Sequence, residues 1–237
     1  MAHALQPSSV MMVSNPARSV AVALVAVSIL MPATPRAPRA AESDCRVIED
    51  FSEAPVGALP PGWKLRKDEA KDVYRVSDEG GRRFLHASAR RMGIQAAKEY
   101  RWNLKEYPVL AWSWRPVEFP RGADERESRR NDSALAVYAV FPYSRFAVKS
   151  LKYIWSERVP RGTHLVGNHG LTQAIVLDSG TPRGKGWVDE HVNVLDDYRK
   201  YFGDGDPQPA GIAVLTDADD THSSAQGDYA NFRVCRR

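Results

Sequence analysis

The chain has 237 residues, 43% of them hydrophobic and 26% charged, with 16 glycines, 16 prolines and two cysteines. That apolar content excludes a disordered or collagen-like chain, and two cysteines exclude a disulfide-dense miniature scaffold. The formal net charge of +4 overstates the basicity of the body: residues 1–41 hold Arg18, Arg36 and Arg39 and no acid, so beyond them 30 basic residues face 29 acids, too even a balance for a nucleic-acid surface.

Residues 1–41 read as a secretory signal, with an apolar run from Ser19 to Met31 followed by Pro32 and small residues. The run is shorter than the ~20 residues of a transmembrane span. A single domain is expected over 42–237, in a periplasmic or secreted setting that lets Cys45 and Cys235 pair. Pairing makes the first and last strands neighbours, taken as antiparallel with Cys45 opposite Cys235. Asp50 then faces Ala230, and Glu49, Asp50 and Asp228 converge as a candidate metal set.

A short strand runs from Cys45 to Phe51, and Pro60, Pro61 and Gly62 turn the chain into a second at Trp63. Val73–Val76 and Arg83–Ala89 form a hairpin about Gly80 and Gly81, and Gly93–Ala97 is a further short strand. In the next strand Leu110, Trp112 and Trp114 share one face; these rings suit a sandwich core better than a sugar platform. Arg126, Arg129 and Arg130 alternate with Glu125, Glu127 and Asp132, as in a solvated loop.

Ala134–Phe141 is apolar on both faces, the mark of a central strand. Ser150–Ser156 puts Leu151, Tyr153 and Trp155 on one face and Lys152, Ile154 and Ser156 on the other. A loop through His164 and His169 leads to a strand at Thr172–Leu177, a basic loop spans Thr181–Gly186, and a strand at Trp187–Asn193 passes into one short helix, Leu195–Phe202, stopped by Gly203. Between strands at Ile212 and Phe232 lies an acidic loop carrying Asp217, Asp219, Asp220, Thr221, His222 and Asp228. Its oxygens suit calcium, a polyhydroxylated ligand, or turns closed by their own side chains.

No G-x-S-x-G elbow, H-E-x-x-H pair or phosphate-cradling glycine loop is present. A glycosidase needs only two carboxylates roughly 5 to 9.5 Å apart, and Glu157, Asp178 and Asp217 are available.

The pattern Tyr107-Pro-x-Leu110-x-Trp112-x-Trp114, Asn131-Asp132 before the apolar strand, Leu151-x-Tyr153-x-Trp155-Ser156, Asp196-Asp197-Tyr198, and Leu215-Thr216-Asp217-x-Asp219-Asp220-Thr221 resembles the bacterial domain-of-unknown-function family 3047. That resemblance implies a secreted jelly-roll sandwich and brings no established activity. Ser113 and His222 depart from it, standing where a larger polar residue and a glycine are expected. The terminal segments are also similar to galactose-binding-like modules, which implies calcium near the paired end strands.

The expectation is an all-β jelly-roll sandwich, galactose-binding-like or concanavalin-like, with one short helix. Its expected role is a non-catalytic binding module for a glycan, held by Asp132, Lys152, Trp155, Asp217 and Asp219. A carboxylate-pair hydrolase and a structural envelope protein are the alternatives.

Overall fold

The computed structural model describes residues 44–67, 71–181, 186–205 and 207–237. The expected signal segment and residues 182–185 of the basic loop lie outside the described residues. One sheet contains β1 (Cys45–Glu49), β3 (Tyr74–Glu79), β4 (Arg82–Arg90), β6 (Val109–Glu118), β11 (Val188–Asn193) and β13 (Ser224–Cys235). Its order is β11-β6-β13-β4-β3, with β1 also paired to β13. The other contains β2 (Trp63–Leu65), β5 (Ala96–Glu99), β7 (Leu135–Pro142), β8 (Val148–Ser156), β9 (His164–Gly167), β10 (Thr172–Ser179) and β12 (Gly211–Leu215), in the order β2-β5-β12-β7-β8-β10-β9. The two sheets stack into an all-β jelly-roll sandwich. Among the described residues, no helix is long and apolar enough to cross a membrane.

Period-two alternation builds the core between the sheets. From β6, Trp112 and Trp114 meet at 5.2 Å; Tyr153 of β8 lies 5.7 Å from Trp112, and Trp155 lies 5.7 Å from Trp114. Burial of each ring contributes about 3 kcal/mol. These tryptophans are therefore core, as the alternation implied.

Cys45 and Cys235 are bonded and sit opposite each other in the β1–β13 ladder. A bulge after Val47 shifts the register so that Glu49 pairs with Phe232, which corrects the uniform register that set Asp50 against Ala230. The single α-helix among the described residues, α1 (Val194–Phe202), begins one residue earlier than expected, where the Asn193 side chain accepts the Asp196 N–H at 3.1 Å. Gly203, at φ 88°, ends it by donating its N–H to the Arg199 carbonyl.

Two expectations fail locally. The stretch from His164 is not a loop: His164–Gly167 pairs with β10 as an edge strand, and a 3-10 turn at Asn168–Gly170 follows. This crossover lets β10 lie parallel to β8. The strand expected from Gly93 starts instead at Ala96, and Gly93 makes an isolated bridge to Asp217. A side chain could not be accommodated there, because a Cβ on Gly93 would sit 1.9 Å from Asp217 Oδ1.

Candidate functional site

A cavity of about 770 Å³ lies over the outer face of the second sheet. Its floor comes from the residues of β7, β8, β10 and β12 that alternate with the core row. Tyr138 pairs across the ladder with Lys152, and Ser150 is hydrogen-bonded to Thr172 at 3.1 Å. Glu125 and Asp217 face the cavity from flanking loops, and Phe146, 93% exposed, stands at its rim in the β7–β8 turn. A small apolar cluster of Ala136, Tyr138, Ala213 and Leu215 lies on this outer side, which explains why β7 reads as apolar on both faces.

Three buried charges border the space. Burial draws the Lys152 ammonium down, but Tyr138, Asp217 and Glu125 more than offset it, and its pKa stays above the ordinary value. Glu125 is raised by burial, against the opposing effect of the Ser156 hydroxyl, which donates to it at 2.6 Å; Ser133 donates at 3.2 Å. Asp217 is pushed up to about 7, first by burial and then by the neighbouring Asp219, with Lys152 pulling the other way. Asp217 Oδ1 is buried and accepts no hydrogen bond. The arrangement can therefore donate from an ammonium, accept at carboxylates and offer an aromatic rim.

Of the five expected ligand residues, Lys152 and Asp217 border this cavity. Trp155 does not: it lies on the inner face, 2% exposed, with its indole N–H donated to the Gly180 carbonyl at 2.8 Å. Parity forbids the expected pairing, since residues three apart on a strand point to opposite faces. Asp132 is fully buried beneath the acidic loop, accepting from the Asp220 N–H at 3.2 Å, the Thr221 N–H at 2.8 Å and the Thr221 hydroxyl at 2.5 Å. Asp219 is exposed and faces a separate hollow with Arg91, Arg129 and His222. His222 has φ 52°, a backbone conformation that glycine adopts without strain, which accounts for the glycine expected there.

The metal set expected at the chain ends is not assembled. Glu49 accepts from the Trp63 indole at 3.0 Å, from Lys98 at 2.6 Å and from the Phe51 N–H at 2.8 Å. Asp50 accepts from Ser52, while Asp228 is held by His86 at 2.7 Å and Arg115 at 2.7 Å. Each carboxylate already has its own partners. Among the described residues, the metal-competent group is instead Asp132, Asp219 and Asp220, with one oxygen from each within 4.8 Å of the others.

The acids considered for a glycosidase are dispersed. Glu157 pairs with Arg158 at 3.6 Å. Asp178 lies beside Glu190, whose carboxyl accepts the Trp114 indole N–H at 3.2 Å and is pushed up to about 8 by burial and then by Asp178. Glu125 was expected in a solvated loop; in the structure that loop folds back, pairing Arg126 with Asp124 and Arg130 with Glu127, and turns Glu125 inward. No periodicity marks a loop residue of this kind. Tyr138 was more legible, as the one polar-tipped ring in the outward row of β7.

Several solved structures are similar to this chain at low identity. The family 11 carbohydrate-binding module of the Clostridium thermocellum cellulase Lic26A-Cel5E is 8% identical, at TM-score 0.42, over 81% of this chain and 95% of that one. TmCBM61 in complex with β-1,4-galactotriose gives 9%, 0.38, 79% and 94%. The family 11 xylanase from Neocallimastix patriciarum gives 11%, 0.36, 82% and 96%. Likenesses this distant carry no information about what the chain binds. No curated protein matches it. A family model described as protein of unknown function (DUF3047) matches residues 61–233, which contain the tryptophan strands and the acidic loop, and the chain belongs to that family.

Proposed function

We propose that this protein is an exported, non-catalytic module that binds a glycan in the cavity on the outer face of the seven-stranded sheet. One observation carries the reading: a cavity of about 770 Å³ bordered by buried polar groups, among them Lys152, Glu125 and an Asp217 whose Oδ1 has no partner. A buried acceptor without a hydrogen bond costs about 1–3 kcal/mol, which makes Asp217 an unusual group in a cavity wall. Phe146 supplies the exposed ring on which a sugar face stacks, in the place first expected for Trp155. Lys152 and Asp217 fix orientation by donating to and accepting from hydroxyls. The disulfide supports export, because such bonds persist in oxidising compartments.

A glycan array of the wild-type chain beside Phe146→Ala and Lys152→Met tests this. Binding by the wild type and its loss in both variants is expected. Phe146 is a rim residue whose removal leaves the fold intact, so unchanged binding by Phe146→Ala would overturn the assignment.

A second reading is favoured by Glu125 and Asp217, two buried carboxyls with raised pKa bordering one cavity, which suits acid–base hydrolysis of a glycoside. It predicts release of reducing ends from oligosaccharides, abolished by Glu125→Gln. Binding without turnover leaves the first reading in place.

A further inference from the structure

We infer that the glycan received by the outer-face cavity carries an apolar aglycone. The ligand is then an amphiphile of the glycolipid class, with its sugar among the buried charges and the first part of its chain over the apolar border of the cavity. This inference rests on the glycan reading above and adds the class of ligand to it.

The borders of the cavity differ in chemistry. Glu125, Lys152 and Asp217 are buried charges on one side. On the other, the β7–β8 turn brings Phe146 and Val148, the latter 48% exposed, and the edge strand β9 brings Val166, 63% exposed, beside a half-buried Leu165. Val148 opens β8, and Lys152 follows four residues later in the same outward row, about 13 Å away at ~3.3 Å per residue. The row ends at Ser156, whose hydroxyl donates to Glu125 at 2.6 Å. Asp217 belongs to that end too, because Leu215, two residues before it, is level with Ile154 through Ala136. Polarity therefore changes along β8, from apolar at the turn to charged at the far end. Of the seven large apolar side chains exposed among the described residues, Phe146, Val148 and Val166 border this one cavity. Scattered exposed apolar residues call for no explanation, but a group of them on the rim of a polar cavity marks a contact surface. A wholly polar glycan would leave both valines in water, whereas a chain attached to the sugar covers them. The volume of about 770 Å³ lies within the range of pockets that enclose such ligands.

The test titrates the full chain calorimetrically with methyl and octyl β-glycosides of glucose and of galactose, the octyl compounds below their micelle concentration. Wild type is compared with the double substitution Val148→Thr, Val166→Thr and with Lys152→Met. Both valines are exposed strand residues and threonine keeps their branched shape, so the fold is retained. The octyl form is expected to bind wild type about tenfold or more tightly than the methyl form of the same sugar. Tenfold is about 1.4 kcal/mol, the burial of about two methylenes. The double substitution is expected to cut that ratio to about threefold or less, and Lys152→Met to weaken both forms of a sugar alike. Equal affinity for the two forms would overturn the inference and leave the glycan reading standing, since the sugar alone then accounts for binding. A ratio that the double substitution leaves intact, or no binding of any octyl glycoside, would overturn it as well. Octyl binding unchanged by Lys152→Met would mean that the chain is held without the sugar, which removes the inference and the glycan reading together.

Discussion

Alternate residues of β8 belong to two different environments. Toward the six-stranded sheet, Leu151, Tyr153 and Trp155 are at most 2% exposed, and the last two pack on Trp112 and Trp114. Away from it, Ser150 and Lys152 are nearly as well covered, at 6% and 7%, yet border an open cavity together with Glu125 and Asp217. Burial alone therefore does not distinguish core from site. On the inner face, rings close all the space; on the outer face, loops cover polar groups while leaving room in front of them. The large rings of the inner row are consumed by the core, so what the outer face offers is charges, hydroxyls and the rim ring of Phe146.

Four perturbations bear on this comparison: three substitutions, in order of expected effect, and a change of pH. Replacing Cys45 and Cys235 by alanine acts on both alike: the bond closes a loop of 190 residues, and its loss lowers unfolding free energy by about 5 kcal/mol on the chain-entropy model, read from urea midpoints. Trp114→Ala removes a ring from the inner face and costs about 4 kcal/mol in the same assay, as large-to-small core substitutions do. Lys152→Met, on the outer face, is expected to cost less, about 2 kcal/mol, because a length-matched apolar chain fills the space while Glu125 and Asp217 lose their cation. If Lys152→Met proved as costly as Trp114→Ala, the distinction between the faces would fail.

The fourth perturbation is a change of pH. Glu190, raised to about 8, holds a proton in the folded protein across a range where the unfolded chain has released it, from about 4.5 upward. The folded state binds more protons there, so its stability falls as pH rises from about 4.5 to 8. Asp178, whose Oδ2 is buried without a hydrogen-bond partner, is the neighbouring carboxylate that adds to the burial of Glu190 in raising it. Glu190→Gln, which keeps a donor toward Asp178, is expected to flatten the slope; urea midpoints at pH 5 and pH 9 that differ as much in the variant as in wild type would contradict this.

The layers of the sandwich were legible because alternation is a local property of each strand. The Trp112–Trp114 row, the Gly80–Gly81 hairpin and the helix stop at Gly203 follow from neighbours in sequence, and the Cys45–Cys235 pairing from there being two cysteines in all. Long-range register was less legible: a bulge after Val47 displaced the end-strand acids, and the parallel placement of β10 beside β8 depended on a crossover that resembled a loop. Site residues divided along the same line. Lys152 was identifiable by its parity on β8; Trp155 was expected beside it although the same rule puts it on the opposite face. Glu125 could not be found, because the inward turn of its loop is set by tertiary hydrogen bonds to Ser133 and Ser156 rather than by any pattern. Asp132 was singled out for its position before β7, but in the structure it works through the backbone of a loop 88 residues away.

The central claim, that the outer face of the seven-stranded sheet receives the ligand, is tested most directly by titrating the isotopically labelled chain with a glycan it binds and mapping amide shifts by NMR. The prediction is a contiguous set of shifts on β7, β8, β10 and β12 surrounding Lys152 and Asp217, with the six-stranded sheet unmoved. Shifts confined to the six-stranded sheet, or to the outer hollow beside Asp219 alone, would contradict it.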